Sequence, residues 1–434
     1  MKIGIRSEDK SPWERRSPLI PKDIQALREQ GISIVVQASA HRVFSDNDFR
    51  SAGIPVQTSL KDCDIIIGIK EIPKDMFEFR KIYLFFAHVI KGQPYNMPML
   101  ERMMELETTL LDYERIVDGN NRRLIFFGRH AGMAGMINTL WALGQRLEEE
   151  NIENPFSVLR QAKNYRNLEE AREELDRVAE VIRTRGIPEI LNPLIVGFTG
   201  YGNVSQGAQD IFDILPFRSI EPEAPEDIML NDPASRHVLY KIVFREKHMV
   251  QSIDGSQSFD LNHYYREGVK KYRSQFYRYL PQLTVLVNGI YWDARYPRLM
   301  TIEDCRNLWN GTVPPKLKVI GDITCDPGGS IECTVESTSP DDPVYVYDPR
   351  NGVISHGFKG WGPLVMAVDI LPTEIPYESS CYFSSILREY IPLIAAANYK
   401  DDFARLTMIP ELKGAMILHR GTLTPDYRYL RKHL

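Results

Sequence analysis

The chain has 434 residues, which is enough for two domains because a single hydrophobic core seldom grows past about 250–300 residues. Its 43% hydrophobic and 26% charged residues are ordinary for a globular protein. The formal net charge of −5 argues against nucleic acid or an anionic membrane as the main partner.

No apolar run approaches the length of a membrane span, and the amino terminus lacks the long apolar segment of a secretory signal. The five cysteines show no paired spacing, so we expect free thiols rather than disulfides or a zinc site. We therefore expect a cytoplasmic protein that holds no metal ion.

In the first part of the chain, short apolar runs alternate with helical segments. The runs at 2–6, 33–37, 64–70, 82–88 and 108–114 are typical of strands, and helices are expected at 21–31 and 99–106. This alternation predicts a parallel α/β sheet.

Polar side chains end three of these predicted strands. Lys70, His88 and Glu114 each follow an apolar run, and in an open parallel sheet ligands bind beyond the carboxyl ends of the strands. Together they indicate a site at one edge of the sheet. For each residue taken alone, a solvated strand end is the better explanation, and it is their occurrence together that favours a site.

A proline-bounded loop at 11–18 places Arg15 and Arg16 beside Glu14. A guanidinium there suits a substrate carboxylate, which it can bind through two parallel hydrogen bonds. A structural ion pair explains the same residues, and the loop alone does not decide between the two.

A glycine-rich turn follows the apolar run at 194–199. Gly200 suits a tight turn and Gly202 a close approach to a pyrophosphate, with a helix following at 203–215. Ser205 stands where the dinucleotide fingerprint has its third glycine, with Gly207 two residues later, so a purely structural glycine turn stays open. Glu221 lies beyond the next short run, where an acid usually holds a ribose hydroxyl.

The remaining segments complete the expected architecture. Residues 284–288 and 317–322 are predicted strands that end in Asn288 and Asp322, and 222–236 is an acidic surface loop. The aromatic and basic run at 264–279 is typical of either a nucleic-acid surface or an amphipathic helix with an aromatic core face, and the acidic total favours the helix. A tail from 343 is too short for a third domain, so we expect it to return to the first.

Several motifs spread over nearly the whole chain resemble lysine–ketoglutarate reductase, the saccharopine-forming half of the aminoadipic semialdehyde synthases of animals and plants. The motifs are Arg6-Ser7-Glu8-Asp9, Trp13-Glu14-Arg15-Arg16, Phe86-Ala87-His88-Val89-Ile90-Lys91, Gly132-Met133-Ala134-Gly135, Asn164-Tyr165-Arg166-Asn167, Gly202-Asn203-Val204-Ser205-Gln206-Gly207, Asn288-Gly289-Ile290-Tyr291-Trp292 and Gly328-Gly329-Ser330-Ile331-Glu332. The family's own turn carries the serine, so Ser205 is no departure. More distant similarity is to alanine dehydrogenase and a transhydrogenase domain.

The resemblance implies two Rossmann-like domains with parallel sheets flanking a central cleft. We expect a substrate domain at 1–135 plus 343–434 and a nicotinamide dinucleotide domain at 136–342. It also implies a stand-alone reductase that joins L-lysine to 2-oxoglutarate and reduces the imine to saccharopine, with the oligomeric state left open. Alternatives are an alanine-dehydrogenase-like enzyme and a non-catalytic nucleotide-sensing module.

The resemblance also implies roles for individual residues. Lys70 and His88 align with acid–base groups, and Glu14, Glu71 and Glu114 with carboxylates that tune them. The substrates bring several carboxylates, for which the candidate partners are Arg16, Lys91 and Arg129.

The cofactor-binding residues are expected at Gly200, Gly202, Asn203, Val204, Ser205, Glu221, Arg218, Asn288 and Asp322. Glu221 alone favours NAD(H), since a carboxylate repels a 2′-phosphate. The animal reductases that the chain resembles use NADPH, so we expect a preference for NADP(H), with Arg218 or another nearby base as the phosphate partner.

Overall fold

The computed structural model describes residues 1–224, 232–255 and 258–434. Its strands are β1 (Lys2–Ile5), β2 (Ser33–Gln37), β3 (Val56–Gln57), β4 (Ile65–Ile67), β5 (Ile82–Phe85), β6 (Thr109–Asp112), β7 (Ile195–Thr199), β8 (Phe217–Ser219), β9 (Leu239–Phe244), β10 (Val250–Ser252), β11 (Tyr272–Ser274), β12 (Val285–Asn288), β13 (Val319–Asp322), β14 (Val344–Asp348), β15 (Val353–His356), β16 (Leu364–Met366), β17 (Met416–His419) and β18 (Thr422–Leu423).

The α-helices are α1 (Pro21–Glu29), α2 (Asp46–Ser51), α3 (Met97–Glu105), α4 (Gly128–Glu149), α5 (Leu168–Arg185), α6 (Asn203–Phe212), α7 (Glu246–Met249), α8 (Leu261–Glu267), α9 (Ile302–Leu308), α10 (Pro376–Ala396) and α11 (Pro410–Gly414). The chain divides into two compact units, Met1–Phe127 with Pro376–Leu434, and Gly128–Ile375.

The first unit is built on a sheet with the order β18-β17-β6-β5-β4-β1-β2-β3. The parallel strands of this sheet are, in spatial order, β3, β2, β1, β4, β5 and β6. Strands β17 and β18 extend the sheet in antiparallel pairing. Alternate residues of the central strands enter two different cores, with Ile65 and Ile67 on one face and Ile66 on the other. A core on both faces is what a parallel sheet of apolar strands requires.

Helix α10 is fixed to α1 of this unit by polar contacts as well as by apolar packing. The Ser384 hydroxyl donates to Asp23 Oδ2 over 2.6 Å, and Arg388 Nη1 lies 3.0 Å from Asp23 Oδ1. Phe383 and Leu387 enter the same core as Ile24. The carboxyl-terminal segment from Pro376 is therefore an integral part of the first unit.

The second unit is built on a sheet with the order β15-β14-β16-β13-β12-β7-β9-β8. The parallel strands of this sheet are, in spatial order, β8, β9, β7, β12, β13 and β16. Strands β14 and β15 add an antiparallel edge. Val196 and Phe198 of β7 face one core, and Ile195 faces the other. Both sheets are thus predominantly parallel with apolar layers on each face, as the alternation of strands and helices predicts.

The predicted domain bounds are wrong at two places. Residues 343–375 were expected in the first domain, but β14, β15 and β16 pair within the second sheet, because the apolar run Leu364–Met366 lies beside β13. Residues 128–135 were also expected there, but they are the first turns of α4, which belongs to the second unit.

The amphipathic helix predicted at 264–279 is also wrong. Helix α8 ends at Glu267, where Gly268 takes a left-handed backbone (φ 48°), and Tyr272 then lies in β11, which pairs with β10. The aromatic side chains nevertheless form a core, since Tyr264, Tyr272 and Phe276 are buried together. The spacing of the aromatics indicated burial correctly, but Gly268 ends the helix that would have carried them.

Three further expectations concern the whole chain. All five cysteines are free thiols, as predicted. Of the acidic loop expected at 222–236, residues 225–231 lie outside the described residues. Within the part of the chain that the structure describes, no helix is both long and apolar enough to cross a membrane.

Candidate active site

The carboxyl ends of β4, β5 and β6 lie side by side in the first unit. Ile67 pairs with Leu84, and Leu84 with Leu111, so the three strands are in register. The pairing continues past the strands, since the Phe86 N–H donates to the Ile69 carbonyl over 2.9 Å. Lys70, His88 and Glu114 therefore follow neighbouring strands at the same sheet edge, as the sequence predicts.

His88 has a left-handed backbone conformation (φ 48°), which is uncommon for a residue with a side chain. The buried Asn96 holds this turn, because its Nδ2 donates to the carbonyls of Ala87 and His88 over 3.1 and 3.2 Å. The imidazole is about one-third exposed and stacks on Phe86 at 6.1 Å between ring centres. The backbone turn thus presents the ring at the edge of the sheet.

Glu71 is the partner that orients this ring. His88 Nδ1 and Glu71 Oε1 are 2.8 Å apart. Burial alone would raise the pKa of Glu71, but the hydrogen bond and charge of His88, with Lys10 nearby, outweigh it and lower that pKa to about 2. An ionised carboxylate only accepts, so Nδ1 donates and Nε2 of the neutral ring is left as the proton acceptor.

Lys70 is held by a residue for which the sequence analysis gave no role. Glu8 follows β1, and its two carboxylate oxygens accept the backbone N–H groups of Ile69 and Lys70 over 2.8 and 3.0 Å. Burial raises the pKa of Glu8 to about 7, although the charge of Arg6 opposes it. The strand-end argument that selected Lys70 also applies to Glu8, because β1 is the neighbour of β4.

The proline-bounded loop contains an ion pair, one of the two alternatives left open by the sequence. Arg16 Nε and Nη2 donate to the two oxygens of Glu14 over 2.7 and 2.5 Å, and both side chains are buried. The guanidinium also lies 4.2 Å from the centre of the Phe127 ring. Arg16 is therefore neutralised and stacked in this arrangement.

Two other predicted site residues of the first unit have different surroundings. Glu114 is buried and forms an ion pair with Arg123. Lys91 is exposed, and its backbone N–H donates to Gln93. The backbone N–H of Glu114 donates to Asp112 Oδ1 over 2.8 Å, and burial raises the pKa of Asp112 to about 7.

The glycine turn of the second unit has the geometry that a dinucleotide requires. Gly200 has a left-handed backbone (φ 76°), and a Cβ on Gly202 would meet no atom within 4 Å. Helix α6 begins at Asn203, and its N-cap residue, Gly202, has no side chain that could cap it. The first amides, at Asn203, Val204 and Ser205, therefore lie at a helix N-terminus without an N-cap side chain. Open space and helix amides together fit a pyrophosphate group.

Gly207 brings two helices together at the back of this turn. A Cβ on Gly207 would lie 2.0 Å from the Arg129 carbonyl oxygen, and one on Gly132 would lie 2.0 Å from that of Val204. Arg129 itself, expected to bind substrate from the first domain, belongs to the second unit and pairs with Asp210 of α6 over 2.8 Å. That position corrects the domain assignment of Arg129, and the ion pair lies between α4 and α6; its binding of substrate stays a prediction.

The strand before Glu221 does not lie next to the glycine strand. The sheet order places β9 between β7 and β8, so Glu221 follows a strand that is one place further out. Arg218 on β8 pairs with Asp232, which also accepts a hydrogen bond from Tyr240. The strand end that adjoins the glycine turn instead carries Arg245, which sequence reasoning missed.

Asn288 and Asp322 end adjacent strands, but their side chains are buried in a closed network. Asn288 Nδ2 donates to Asp322, Thr324 and Ser330 over 2.9, 3.0 and 2.8 Å. Thr199 donates to Asn288 Oδ1 over 2.8 Å. Burial raises the pKa of Asp322, although several hydrogen bonds to its carboxylate act to lower that pKa. The network ties the ends of β7, β12 and β13 together.

Comparison with known proteins finds similarity in the amino-terminal part of the chain and along its whole length. Residues 4–134 match the family described as Alanine dehydrogenase/PNT, N-terminal domain. The whole chain is similar to the mitochondrial alpha-aminoadipic semialdehyde synthase of Mus musculus, with 33% identity over 99% of this chain and 47% of the relative. The chain thus spans about half the length of that relative.

A second relative is similar along both chains. The saccharopine dehydrogenase [NAD(+), L-lysine-forming] of Schizosaccharomyces pombe is 27% identical over 92% of this chain and 94% of its own. Among solved structures, an L-alanine dehydrogenase superposes with a TM-score of 0.63 at 16% identity, covering 100% of this chain and 99% of that one. The resemblance read from the motifs and the two-sheet α/β fold class are both confirmed.

Proposed function

We propose, on the premise that the chain is a homologue of the alpha-aminoadipic semialdehyde synthases and carries an alanine dehydrogenase/PNT N-terminal domain, that it is an NAD(P)-dependent oxidoreductase of lysine metabolism. Its reaction is that of a lysine–ketoglutarate reductase. The ε-amine of L-lysine adds to the ketone of 2-oxoglutarate, water leaves, and the imine is reduced to saccharopine.

The two units divide this work. The unit Met1–Phe127 with Pro376–Leu434 is the substrate domain, and Gly128–Ile375 is the dinucleotide domain. The glycine turn and the first turn of α6 would hold the pyrophosphate of the cofactor, which supplies the hydride when bound. We propose NADP(H) as the preferred cofactor, with NAD(H) as the alternative.

The observation that carries the proposal is the His88–Glu71 hydrogen bond beside Lys70 at one sheet edge. Forming and dehydrating the carbinolamine needs a proton taken from the amine and another given to the leaving hydroxyl. His88, with Nδ1 fixed by Glu71, takes or returns a proton at Nε2, and Lys70 serves the second transfer. Glu8 keeps the Lys70 backbone in place.

An absorbance assay at the reduced-nicotinamide band tests the proposal. L-Lysine and 2-oxoglutarate are added singly and together to the purified chain with NADPH or NADH, and saccharopine is identified by mass spectrometry. We expect oxidation of the cofactor only when both substrates are present. No turnover with the pair, under conditions where the chain binds NADPH, would refute the reductase.

The same assay decides between the alternatives. Similarity in fold to an L-alanine dehydrogenase makes pyruvate with ammonia the matched control pair. Turnover with that pair instead would identify a small-keto-acid enzyme. Nucleotide binding without turnover of either pair would identify the sensing module.

A further inference from the structure

The strand end next to the glycine turn belongs to β9. Thr199 of β7 pairs with Phe244 of β9, and the Gly200 N–H donates to the Phe244 carbonyl over 3.0 Å. The residues that leave the sheet beside the turn are therefore Arg245 and Glu246. In a Rossmann sheet, the side chain at this strand end faces the ribose of the adenosine half.

Arg245 lies against the turn itself. Its guanidinium carbon is 5.7 Å from the centre of the Tyr201 ring, and Tyr201 stands between the two turn glycines. The Arg245 backbone is fixed, because its N–H donates to Nδ1 of the buried His248 over 3.0 Å. The side chain is exposed, and none of the ion pairs among the described residues includes it.

The neighbouring acid is already engaged. Glu246 accepts the Tyr265 hydroxyl over 2.6 Å and the Tyr201 hydroxyl over 3.3 Å. It lines a cavity of about 300 Å³ together with Tyr201, Tyr265, Ile290 and Trp292. Two phenols already use part of the acceptor capacity of this carboxylate, whereas Arg245 beside it forms no ion pair with any of the described residues.

We propose that Arg245 selects NADPH by binding the 2′-phosphate of its adenosine half. This inference rests on the proposed function and deepens it. A guanidinium offers two parallel N–H donors to a phosphate, in a planar arrangement that an ammonium group lacks. Arg218 does not serve this role, because it follows the outer strand β8 and is neutralised by Asp232.

The test measures nucleotide binding directly, without turnover. Titration calorimetry of the full chain compares adenosine 2′,5′-bisphosphate with 5′-AMP, which lacks only the 2′-phosphate. We expect the wild type to bind the bisphosphate at least about tenfold more tightly. Arg245→Met loses about 10- to 100-fold in affinity for the bisphosphate and binds 5′-AMP unchanged. Arg218→Met, the matched control, behaves as wild type.

Two further measurements sharpen the result. Arg245→Lys keeps the positive charge but loses the two parallel N–H donors of the guanidinium. We therefore expect an affinity for the bisphosphate between those of the wild type and Arg245→Met. The wild-type preference for the bisphosphate falls as salt is raised, because the site is exposed. Circular dichroism and thermal unfolding check that each variant is folded.

The outcomes separate the inference from the function it rests on. An unchanged preference in Arg245→Met, or its loss in Arg218→Met, overturns the assignment to Arg245 while saccharopine formation stands. A wild type that binds 5′-AMP more tightly than the bisphosphate also overturns it. Failure of the wild type to bind either nucleotide, together with no saccharopine formation, overturns both.

Discussion

Gly207→Ala is the substitution whose effect the structure specifies best. A Cβ there would lie 2.0 Å from the carbonyl oxygen of Arg129 and 2.8 Å from its carbonyl carbon. Real Cβ contacts essentially never fall below 3.0 Å, so α4 and α6 would have to separate by about 1 Å. Both partners are backbone atoms within helices, so no flexible side chain can absorb the overlap.

The expected cost follows from this geometry. Inserting a methyl group into a close-packed interior costs about 1–3 kcal/mol when side chains can adjust. Because only helix backbones can move here, we expect a loss of about 3 kcal/mol in the free energy of unfolding. Urea unfolding followed by tryptophan fluorescence measures it, with Trp141 on α4 as a probe within the same unit.

Gly311→Ala is the matched control in the second unit. Its added Cβ would have Val313 atoms as neighbours at 3.8 and 3.9 Å, which is ordinary contact. We expect a change within about 0.5 kcal/mol for this variant. The reasoning is refuted if Gly207→Ala and Gly311→Ala unfold at the same urea concentration with equal slopes.

Three other predictions follow from the site and its surroundings. His88→Ala and Lys70→Met should each lower kcat about 10²–10⁴-fold while leaving the Kd for NADPH unchanged, and wild-type turnover across pH 6–9 in either variant would remove its role. Glu8→Gln keeps only one acceptor for the two backbone N–H groups and should lower kcat about tenfold without changing NADPH affinity; an unaltered kcat would contradict the positioning role. Burial raises the pKa of Glu374 to about 7, although hydrogen bonds from Asn138 act in the opposite direction. Because the folded state holds this proton more tightly than the unfolded state, the carboxyl contributes fully to the free energy of unfolding below its ordinary pKa of about 4.5, and the contribution is lost as pH rises through 7. Relative to wild type, Glu374→Gln should therefore gain up to about 3 kcal/mol of unfolding free energy between pH 4.5 and 7.5, and a pH-independent difference would contradict the assignment.

The first sheet and its edge were predictable because each signal there is local. An apolar run that ends in Lys70 or His88 gives the strand and its terminal side chain together, and parallel pairing then brings the ends to one edge. The left-handed backbone at His88 gave no signal, because it depends on Asn96 and not on a glycine. Glu8 obeys the same rule, but it lies three residues beyond the end of β1, and its role depends on contacts with the backbone after β4 that the sequence does not reveal.

The cofactor side was harder to predict because its strand order is not local. The run before Glu221 follows α6 directly in the chain, yet it does not pair with β7. The more apolar run Leu239–Phe244 occupies that central position instead and is buried along nearly its whole length, whereas β8 is partly exposed at the sheet edge. Burial, and not sequence proximity, decides which strand takes the centre of a parallel sheet.

Polar residues at strand ends have opposite fates in the two units, although their sequence signature is the same. His88 is partly exposed and has one acid partner, so its outer nitrogen can exchange a proton with a substrate. Asn288 and Asp322 are buried, and their side-chain oxygens accept hydrogen bonds from the hydroxyls of Thr199 and Thr334, respectively. A strand-end side chain serves chemistry only where its neighbours leave a donor or acceptor unused. Among the described residues of the second unit, the amides of the glycine turn and the exposed Arg245 at the end of β9 meet this condition.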